Sequence, residues 1–342
     1  PKITSGTPSG GPAAYDAATP IGPAAMPTAP AANPPAFRAI PDLIHEHARA
    51  APRRRALAQA TGAGIDAIDY ATLDDRMDRV AGALQRDGLR PGDAIAVCAA
   101  TSIDYATVYL GALRAGVVVA PLAPGSTPEA FARMLADAGA RVLFTDASAA
   151  ATVGDAGRGA VASVALDGSG AGRPLADWLA APGATPGPVA IEPGWAFNII
   201  YSSGTTGAPK GIVQSHAMRW VHVTRGAVYG YGADTVTLLS TPLYSNTTLV
   251  VFFPTLAYGG TVLLMPKFDA GGYLALAQAE RVTHTMLVPV QYRRLMARPD
   301  FDAHDLSSFR IKFSTSAPFG AALKADVLAR WPGGLVEFYG MT

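Results

Sequence analysis

Along most of the chain, segments with the apolar pattern of strands alternate with segments that have the apolar periodicity of helices. Short apolar runs such as Ala94–Ala99 and Trp195–Tyr201 predict buried strands, and apolar residues every three or four positions, as in Ile103–Ala115, predict helices. Strands and helices continue to alternate up to the last predicted strand, Leu335–Phe338. This alternation is typical of α/β proteins, so we expect two doubly wound, mainly parallel sheets with helices on both faces.

Two stretches interrupt the alternation because they are rich in Gly, Ala or Pro. Residues 1–36 carry almost no charge and cannot bury enough apolar surface to offset the entropy of ordering, so we expect an extended arm there. The stretch Ala147–Gly172 predicts loops around one short strand, Val161–Leu166. The two sheets are predicted to divide near Pro186–Gly194, which gives one α/β subdomain over residues 37–190 and a second over residues 191–342.

Charge and cysteine content argue against several classes of function. With 27 basic and 26 acidic residues the formal net charge is +1, which offers no general attraction to nucleic acid. Cys98 is the single cysteine, so neither an intramolecular disulfide nor a thiolate metal site is expected. The most apolar stretch, Leu249–Met265, is interrupted by Pro254 and is shorter than the roughly 20 residues of a membrane span. We therefore expect a cytoplasmic protein with no membrane span. The sequence leaves open whether it forms a homodimer.

Three patterns that would suggest other enzymes are not supported. Gly62–Ala67 has the spacing of a dinucleotide fingerprint, but the strand-like segment Ile68–Tyr70 follows where a helix is required, so a hairpin turn is predicted. The chain has no Gly-x-Ser-x-Gly elbow, which argues against an α/β-hydrolase. The histidines form no HExxH pattern, so we expect them, His216 and His222 included, at the surface or at helix ends.

The most informative segment is the loop Tyr201–Gly211, which follows a predicted strand. It therefore leaves the sheet at a carboxyl edge, where open α/β sheets bind ligands. Its glycines allow successive N–H groups to face one side and form an anion-binding nest, and its hydroxyls and one lysine add donors. The spacing is not that of a Walker A loop. We interpret the segment as a polyphosphate site, against the alternative of a flexible surface loop, with these donors: Ser202, Ser203, Gly204, Thr205, Thr206, Gly207 and Lys210.

From Ile199 to Lys210 the chain resembles, with no mismatch, the phosphate loop of the adenylate-forming superfamily, which contains the acyl-CoA synthetases. Further segments are similar to that family's motifs and occur in its order. They are Leu110–Gly116, Pro121–Pro124, Met134–Gly139, Ser316–Pro318 and Tyr339–Thr342. The resemblance covers about residues 40 to 342, the large N-terminal part of such enzymes.

The resemblance implies ATP-dependent activation of a carboxylic acid to acyl-AMP, with release of pyrophosphate and transfer to coenzyme A. Catalysis of this kind depends mainly on positioning and charge stabilisation, and Mg²⁺ neutralises phosphate charge. Lys210 and Thr205 are the implied catalytic residues of this chain. Besides the phosphate-loop residues, the implied nucleotide contacts are Ser316, Ala317, Pro318, Phe338, Tyr339, Gly340, Met341 and Thr342.

The resemblance also implies that important groups lie beyond Thr342. The family continues with a metal-binding glutamate, a ribose-binding aspartate and a small C-terminal domain that carries the main catalytic lysine. We therefore expect the sequence to be part of a longer enzyme, and we assign no metal ligand within it.

The acyl pocket is expected along residues 246–258 and 314–316, with Tyr244, Ser245, Asn246, Val250 and Ser314 as its named members. Many relatives have a histidine at the position of Ser245, so that histidine's role is not transferred to this chain. The stretch is apolar and contains no Lys or Arg, which disfavours dicarboxylates. A fatty or aromatic monocarboxylate is the predicted substrate.

Two alternatives remain open. The enzyme class includes adenylation domains that load the thiol of a carrier protein in place of coenzyme A. From another class, the chain is also compatible with a nucleotide-binding protein that does not turn over.

Replacement of Lys210 by alanine should weaken the binding of ATP more than that of AMP, because the lysine is assigned to phosphates that AMP lacks. Losing one charge-assisted contact should cost about 1.5–3 kcal/mol of binding free energy. Calorimetric titration of the complete protein with each nucleotide measures the difference. Equal losses for ATP and AMP would place Lys210 away from the terminal phosphates.

Overall fold

Two seven-stranded sheets organise the protein, a computed structural model of which describes residues 35–202 and 210–339. The arm predicted at residues 1–36 lies outside the described residues except for Pro35 and Ala36. The strands are β1 (Arg55–Thr61), β2 (Gly64–Asp69), β3 (Ala94–Cys98), β4 (Val118–Pro121), β5 (Ala140–Thr145), β6 (Ala162–Ala165), β7 (Arg173–Pro174), β8 (Ala196–Ser202), β9 (Lys210–Ser215), β10 (Val236–Leu239), β11 (Thr261–Leu264), β12 (His284–Leu287), β13 (Ile311–Ser314) and β14 (Gly334–Glu337).

Helices connect these strands. They are α1 (Ile40–Ala50), α2 (Tyr70–Arg86), α3 (Ile103–Arg114), α4 (Pro128–Asp137), α5 (Ala147–Arg158), α6 (Leu175–Trp178), α7 (His216–Thr224), α8 (Asn246–Ala257), α9 (Ala270–Ala279), α10 (Pro289–Met296) and α11 (Ala321–Arg330). Within the described ranges, no helix combines the length and the apolar character that crossing a bilayer requires.

Each sheet has parallel strands at its centre and an antiparallel hairpin at one edge. The first sheet has the order β7-β6-β5-β3-β4-β8-β9 and the second has the order β14-β13-β12-β10-β11-β1-β2. The antiparallel pairs are β8–β9 and β1–β2. The predicted α/β class with two mainly parallel sheets is confirmed, and so is the predicted hairpin turn at Gly62–Ala67.

The sheets do not divide near residue 190 as the sequence predicted. The hairpin β1–β2 precedes the first sheet in the chain but belongs to the second sheet, because β1 pairs in parallel with β11 through Leu57 and Val262. Conversely, β8 and β9 follow the predicted boundary but complete the first sheet, in which β8 pairs with β4. The first sheet is thus inserted within the second, and residues 34–342 form one unit.

Helix α5 is an element that the sequence analysis missed. Its segment was expected to form loops because it lacks an apolar period, but Ala favours the helix strongly enough without one. The Asp146 side chain caps the helix by accepting a hydrogen bond from the Ala149 N–H. Gly154, with a φ of 63°, interrupts it.

The core is continuous from one half of the chain to the other. The Tyr109 ring on α3 lies 5.6 Å from that of Phe253 on α8, and Phe253 lies 4.9 Å from Phe197 on β8. All three side chains are buried. Close packing of α2 on α3 is possible because Gly111 has no side chain; a Cβ there would lie 2.5 Å from that of Val80. These contacts fix β8 and α3 relative to α8.

Replacement of the buried Lys312 by methionine should destabilise the fold. Its ammonium donates to the carbonyl oxygens of Trp331, Pro332 and Gly333, at 3.0, 2.6 and 2.7 Å. Burial lowers the pKa of Lys312 to about 7. Methionine leaves buried carbonyls without a donor, at a cost of about 1–3 kcal/mol of unfolding free energy. Denaturant unfolding measures this cost.

The same substitution at Lys324 is the control, because this lysine forms an ion pair with Glu337 and is 38% exposed. Surface pairs contribute about 0–1 kcal/mol. Equal effects of the two substitutions would show that the carbonyl cluster does not depend on Lys312.

Candidate functional site

The segment predicted to bind phosphate connects the two strands of the β8–β9 hairpin. Strand β8 ends at Ser202, and Lys210 begins β9 directly opposite Ser202 in the antiparallel register. The predicted donors Ser203, Gly204, Thr205, Thr206 and Gly207 lie outside the described residues. Sequence analysis missed β9, whose apolar run is only Ile212–Val213.

The base of this hairpin is anchored to α4. The Tyr201 hydroxyl donates to Asp137 Oδ2 at 2.6 Å and lies 3.1 Å from the Met134 carbonyl oxygen. Gly211 packs against the same group, and a Cβ there would lie 2.9 Å from Asp137 Oδ2. Ser202 is therefore held at the carboxyl edge of the sheet. The exposed Lys210 extends its charge beside it.

A cavity of about 350 Å³ opens beside Ser202. We call it the loop-side cavity. Among the residues that the structure describes, its polar lining consists of hydroxyl and amide groups and contains no carboxylate. The lining residues are Pro121, Ala123, Ser126, Met134, Ile200, Tyr201, Ser202, Tyr244, Ser245, Asn246, Thr247 and Ser316.

A second cavity, of about 360 Å³, shares Asn246, Thr247 and Ser316 with the first. We call it the helix-side cavity because α7 and α8 form much of its wall. Its other lining residues are Gln214, Met218, His222, Arg225, Tyr229, Tyr231, Val250, Val251, Pro254, Phe313, Thr315, Phe338 and Tyr339. The two cavities meet at the N-terminus of α8.

Ser316 stands at this junction in an unusual conformation. Its φ of 74° lies in the left-handed region, which costs a non-glycine residue of the order of 1–3 kcal/mol and is found often at functional sites. The Ser316 and Thr247 hydroxyl oxygens lie 2.8 Å apart, which joins the end of β13 to α8. Ala317 and Pro318 follow in an exposed turn.

The two aromatic residues assigned to adenine have different surroundings. Phe338 is half-buried and stacks on Phe313, with ring centroids 5.4 Å apart, so it forms part of the cavity wall. Tyr339 is 99% exposed and presents a free ring face at the cavity mouth. Such a ring is suited to stacking on a nucleobase. Gly340, Met341 and Thr342 lie outside the described residues.

The residues assigned to the acyl pocket are divided between the cavities. Tyr244 and Ser245 line the loop-side cavity, Val250 lines the helix-side cavity, and Asn246 lines both. Ser314 is buried and lines neither of them.

Sequence analysis missed the wall that β9 and α7 provide. Gln214, Met218, His222 and Arg225 line the helix-side cavity, and Arg225 supplies the cation that was sought only in residues 246–258. The argument against dicarboxylates therefore fails. As expected, both histidines of α7 lie at its ends: His216 is its first residue and His222 lies in its last turn. The signal that was available is the series of polar residues on one face of α7, which a purely structural helix has little reason to bury.

Both histidines of α7 are neutral at physiological pH. Burial, together with the charges of Arg219 and Arg225, lowers the pKa of His222 to about 4. Burial also lowers the pKa of His216 to about 4. Because Arg225 lines the cavity and no described carboxylate does, the described part of the wall carries positive charge.

The described residues at the phosphate end fit an anion and not a metal. Ser202 and Lys210 provide a hydroxyl and a cation at one sheet edge, which suits a phosphate group. Among residues 35–202 and 210–339, no group of three or more His, Cys, Asp or Glu side chains is placed to hold a metal ion.

Comparison with known proteins agrees with this geometry. The chain is 33% identical over 288 residues to a feruloyl-CoA synthase from Amycolatopsis sp, covering 83% of this chain and 56% of that protein. It is 32% identical to 4-coumarate–CoA ligase 5 from Oryza sativa subsp. japonica, covering 89% of this chain and 58% of that one. The chain therefore spans little more than half the length of these relatives.

A solved structure shows the same fold. The N-terminal domain of FACL13 from Mycobacterium tuberculosis superposes with a TM-score of 0.75 at 25% sequence identity, covering 89% of this chain and 76% of that one. The model of the family described as AMP-binding enzyme matches residues 44–342. The chain belongs to the AMP-binding enzyme family.

Proposed function

We propose that the complete protein activates a carboxylic acid with ATP, releases pyrophosphate and transfers the acyl group from acyl-AMP to coenzyme A. The observation that carries this proposal is the continuity of the site: Ser202, with Lys210 opposite it, lines the loop-side cavity, which shares lining residues with the helix-side cavity. A polyphosphate and an organic acid can thus be held end to end.

An aromatic acid is the substrate class that the helix-side cavity favours. Phe313, Phe338 and Tyr229 line it, and flat rings pack well against such a wall. The names of the two relatives, with feruloyl and 4-coumarate, point to aromatic acids as well. A fatty acid remains the second possibility, because Val250, Val251 and Pro254 offer an aliphatic side to the same cavity.

In this proposal the reacting carboxylate lies at the junction of the cavities, near Thr247 and Ser316. Its oxygen attacks the α-phosphorus of ATP, the bond to the β-phosphate oxygen breaks, and pyrophosphate leaves. Lys210 and Ser202 hold the phosphates in line, and the Tyr339 ring stacks on the adenine. The thiolate of coenzyme A then attacks the acyl carbon, and AMP leaves. The protein contributes mainly orientation and stabilisation of charge.

The phosphate-loop donors Ser203–Gly207 and the segment Gly340–Thr342 retain their proposed roles at the β- and γ-phosphates and the α-phosphate. Mg²⁺ would neutralise phosphate charge. The described polar groups of the loop-side cavity are hydroxyls and amides and include no carboxylate, so we assign no described residue to the metal.

Acid-dependent exchange of labelled pyrophosphate into ATP tests the proposal on the complete protein. Ferulate, 4-coumarate and decanoate form the panel, and the expected result is exchange with the aromatic acids and a coenzyme A thioester when the thiol is added. If no acid supports exchange, the protein does not form adenylates. If exchange occurs but no thioester forms, coenzyme A is not the acceptor.

Replacement of Ser245 by alanine should change the preference among acids and not the chemistry. A hydroxyl is too weak a base at neutral pH to act as an imidazole does, and Ser245 lines the loop-side cavity beside the junction. We expect the ranking of acids to shift while the rate with the best acid stays within about tenfold.

The measurement is the exchange rate over the same panel. Replacement of the exposed Ser307, which lines neither cavity, is the matched control. A uniform loss of several orders of magnitude with every acid would instead make Ser245 a participant in the chemistry.

A further inference from the structure

Arg219 is a buried cation that the proposed reaction does not use. Its side chain on α7 has no solvent exposure, and its guanidinium carbon lies 5.6 Å from the centroid of the Phe197 ring and 5.8 Å from that of Phe253. Within the part of the chain that the structure describes, no carboxylate pairs with it, and its Nε and Nη1 have no hydrogen-bond partner. Burial lowers its pKa to about 10, so it stays charged at neutral pH.

Two amide side chains face this cation from neighbouring strands. Gln214 on β9 and Asn198 on β8 are directly opposite each other in the register. Arg219 Nη2 donates to Gln214 Oε1 and, at 3.4 Å, to Asn198 Oδ1. A guanidinium has no acceptor, so in both amides the oxygen must be the atom that faces it.

This requirement fixes the orientation of Gln214. With its oxygen held by Arg219, its NH₂ group must point elsewhere, and Gln214 lines the helix-side cavity and not the loop-side one. The residue is only 5% exposed. No acceptor for its nitrogen is found among residues 35–202 and 210–339. Because Gln214 lines the helix-side cavity, a ligand there can supply the acceptor, and the new hydrogen bond favours its binding.

We propose that Gln214, oriented by Arg219, donates a hydrogen bond to an acceptor oxygen at the far end of the acid. Gln214 is then a specificity-determining residue and Arg219 a positioning residue. The preferred acids carry a carbonyl, ether, phenolic or carboxylate oxygen remote from the reacting carboxyl group. The inference rests on the proposed function, since it assumes that the helix-side cavity holds the acyl part of the substrate.

The rest of the cavity supports an acceptor at that end. His222 is neutral, Arg225 is cationic, and none of the lining residues that the structure describes is Asp or Glu. A group that accepts hydrogen bonds is therefore favoured over one that only donates. A purely structural explanation is that Arg219 merely fills the space between two aromatic rings. The two explanations differ in one respect: selectivity among acids depends on Gln214 only if Gln214 donates a hydrogen bond to the acid.

The test compares two acids of nearly the same shape, acetylcinnamate and isopropylcinnamate, substituted at the 3- or the 4-position. The acetyl group carries an acceptor oxygen, and the isopropyl group has a methyl group in its place. The readout is the ratio of kcat/KM for the acetyl acid to that for the isopropyl acid in pyrophosphate exchange by the complete protein. The positional isomer with the higher wild-type rate is used.

In Gln214→Leu the ratio should fall roughly two- to tenfold, the value of one neutral hydrogen bond. In Gln214→Glu the ratio should fall further. A carboxylate that pairs with Arg219 has no donor, and its second oxygen would face and repel the acetyl oxygen. This second variant keeps the contact to Arg219 and carries the test if the leucine variant does not fold. Val213→Thr is the matched control, because Val213 is the neighbouring residue, is 62% exposed and should leave the ratio unchanged.

Arg219→Met should lower the same ratio in the wild-type background and leave it unchanged in the Gln214→Leu background. A merely structural role would reduce both rates together and would not change the ratio. A ratio that is unaltered in both Gln214 variants, while exchange persists, overturns this inference and leaves the proposed function standing. Absence of exchange with every acid in the wild-type protein overturns the proposed function, and this inference with it.

Discussion

Burial of the aromatic contact between Tyr109, Phe197 and Phe253 is the interaction on which the site depends. These side chains come from α3, β8 and α8, three elements that are far apart in the sequence. Aromatic pairs of this kind contribute about 0.5–1.5 kcal/mol each beyond the area that they bury. Because the cluster joins β8 to α8, it also sets the distance between Ser202 and the N-terminus of α8, and this distance defines the loop-side cavity.

The same cluster explains why a cation is tolerated next to the proposed acyl pocket. Arg219 lies over two of its rings, and the ring faces offer partial negative charge in place of a carboxylate. A carboxylate there would neutralise the cation, and it would also compete with Gln214 for the guanidinium. With aromatic rings and amide oxygens as its only partners within the described residues, Arg219 keeps a positive charge behind Gln214, which lines the cavity.

Much of the fold was predictable because its elements are locally consistent. The predicted helix Ile103–Ala115 agrees with the structure within one residue, and so do the predicted strands Ala94–Ala99 and Trp195–Tyr201. Elements that depend on distant partners were not predictable. Strand β9 exists because β8 offers it an edge, and β1 joins β11 across the inserted first sheet, neither of which a local pattern reveals. In the site, Ser202, Lys210 and Tyr339 were recognised from motifs. Gln214 on β9 and Arg225, which follows α7, required knowing how these elements pack against α8.

The insertion of one sheet within the other has a consequence for how the chain folds. Strands β3 to β9 of the first sheet are consecutive, so this sheet can assemble from neighbouring segments as they are synthesised. The hairpin β1–β2 is made earlier, but Leu57 finds its partner only when Val262 has emerged from the ribosome. Such long-range parallel pairing is slow, because loop closure must precede any stabilising contact. During that interval the apolar edge of β1 is open to pairing with other chains. Assembly of the second sheet therefore limits the rate at which a functional cavity forms.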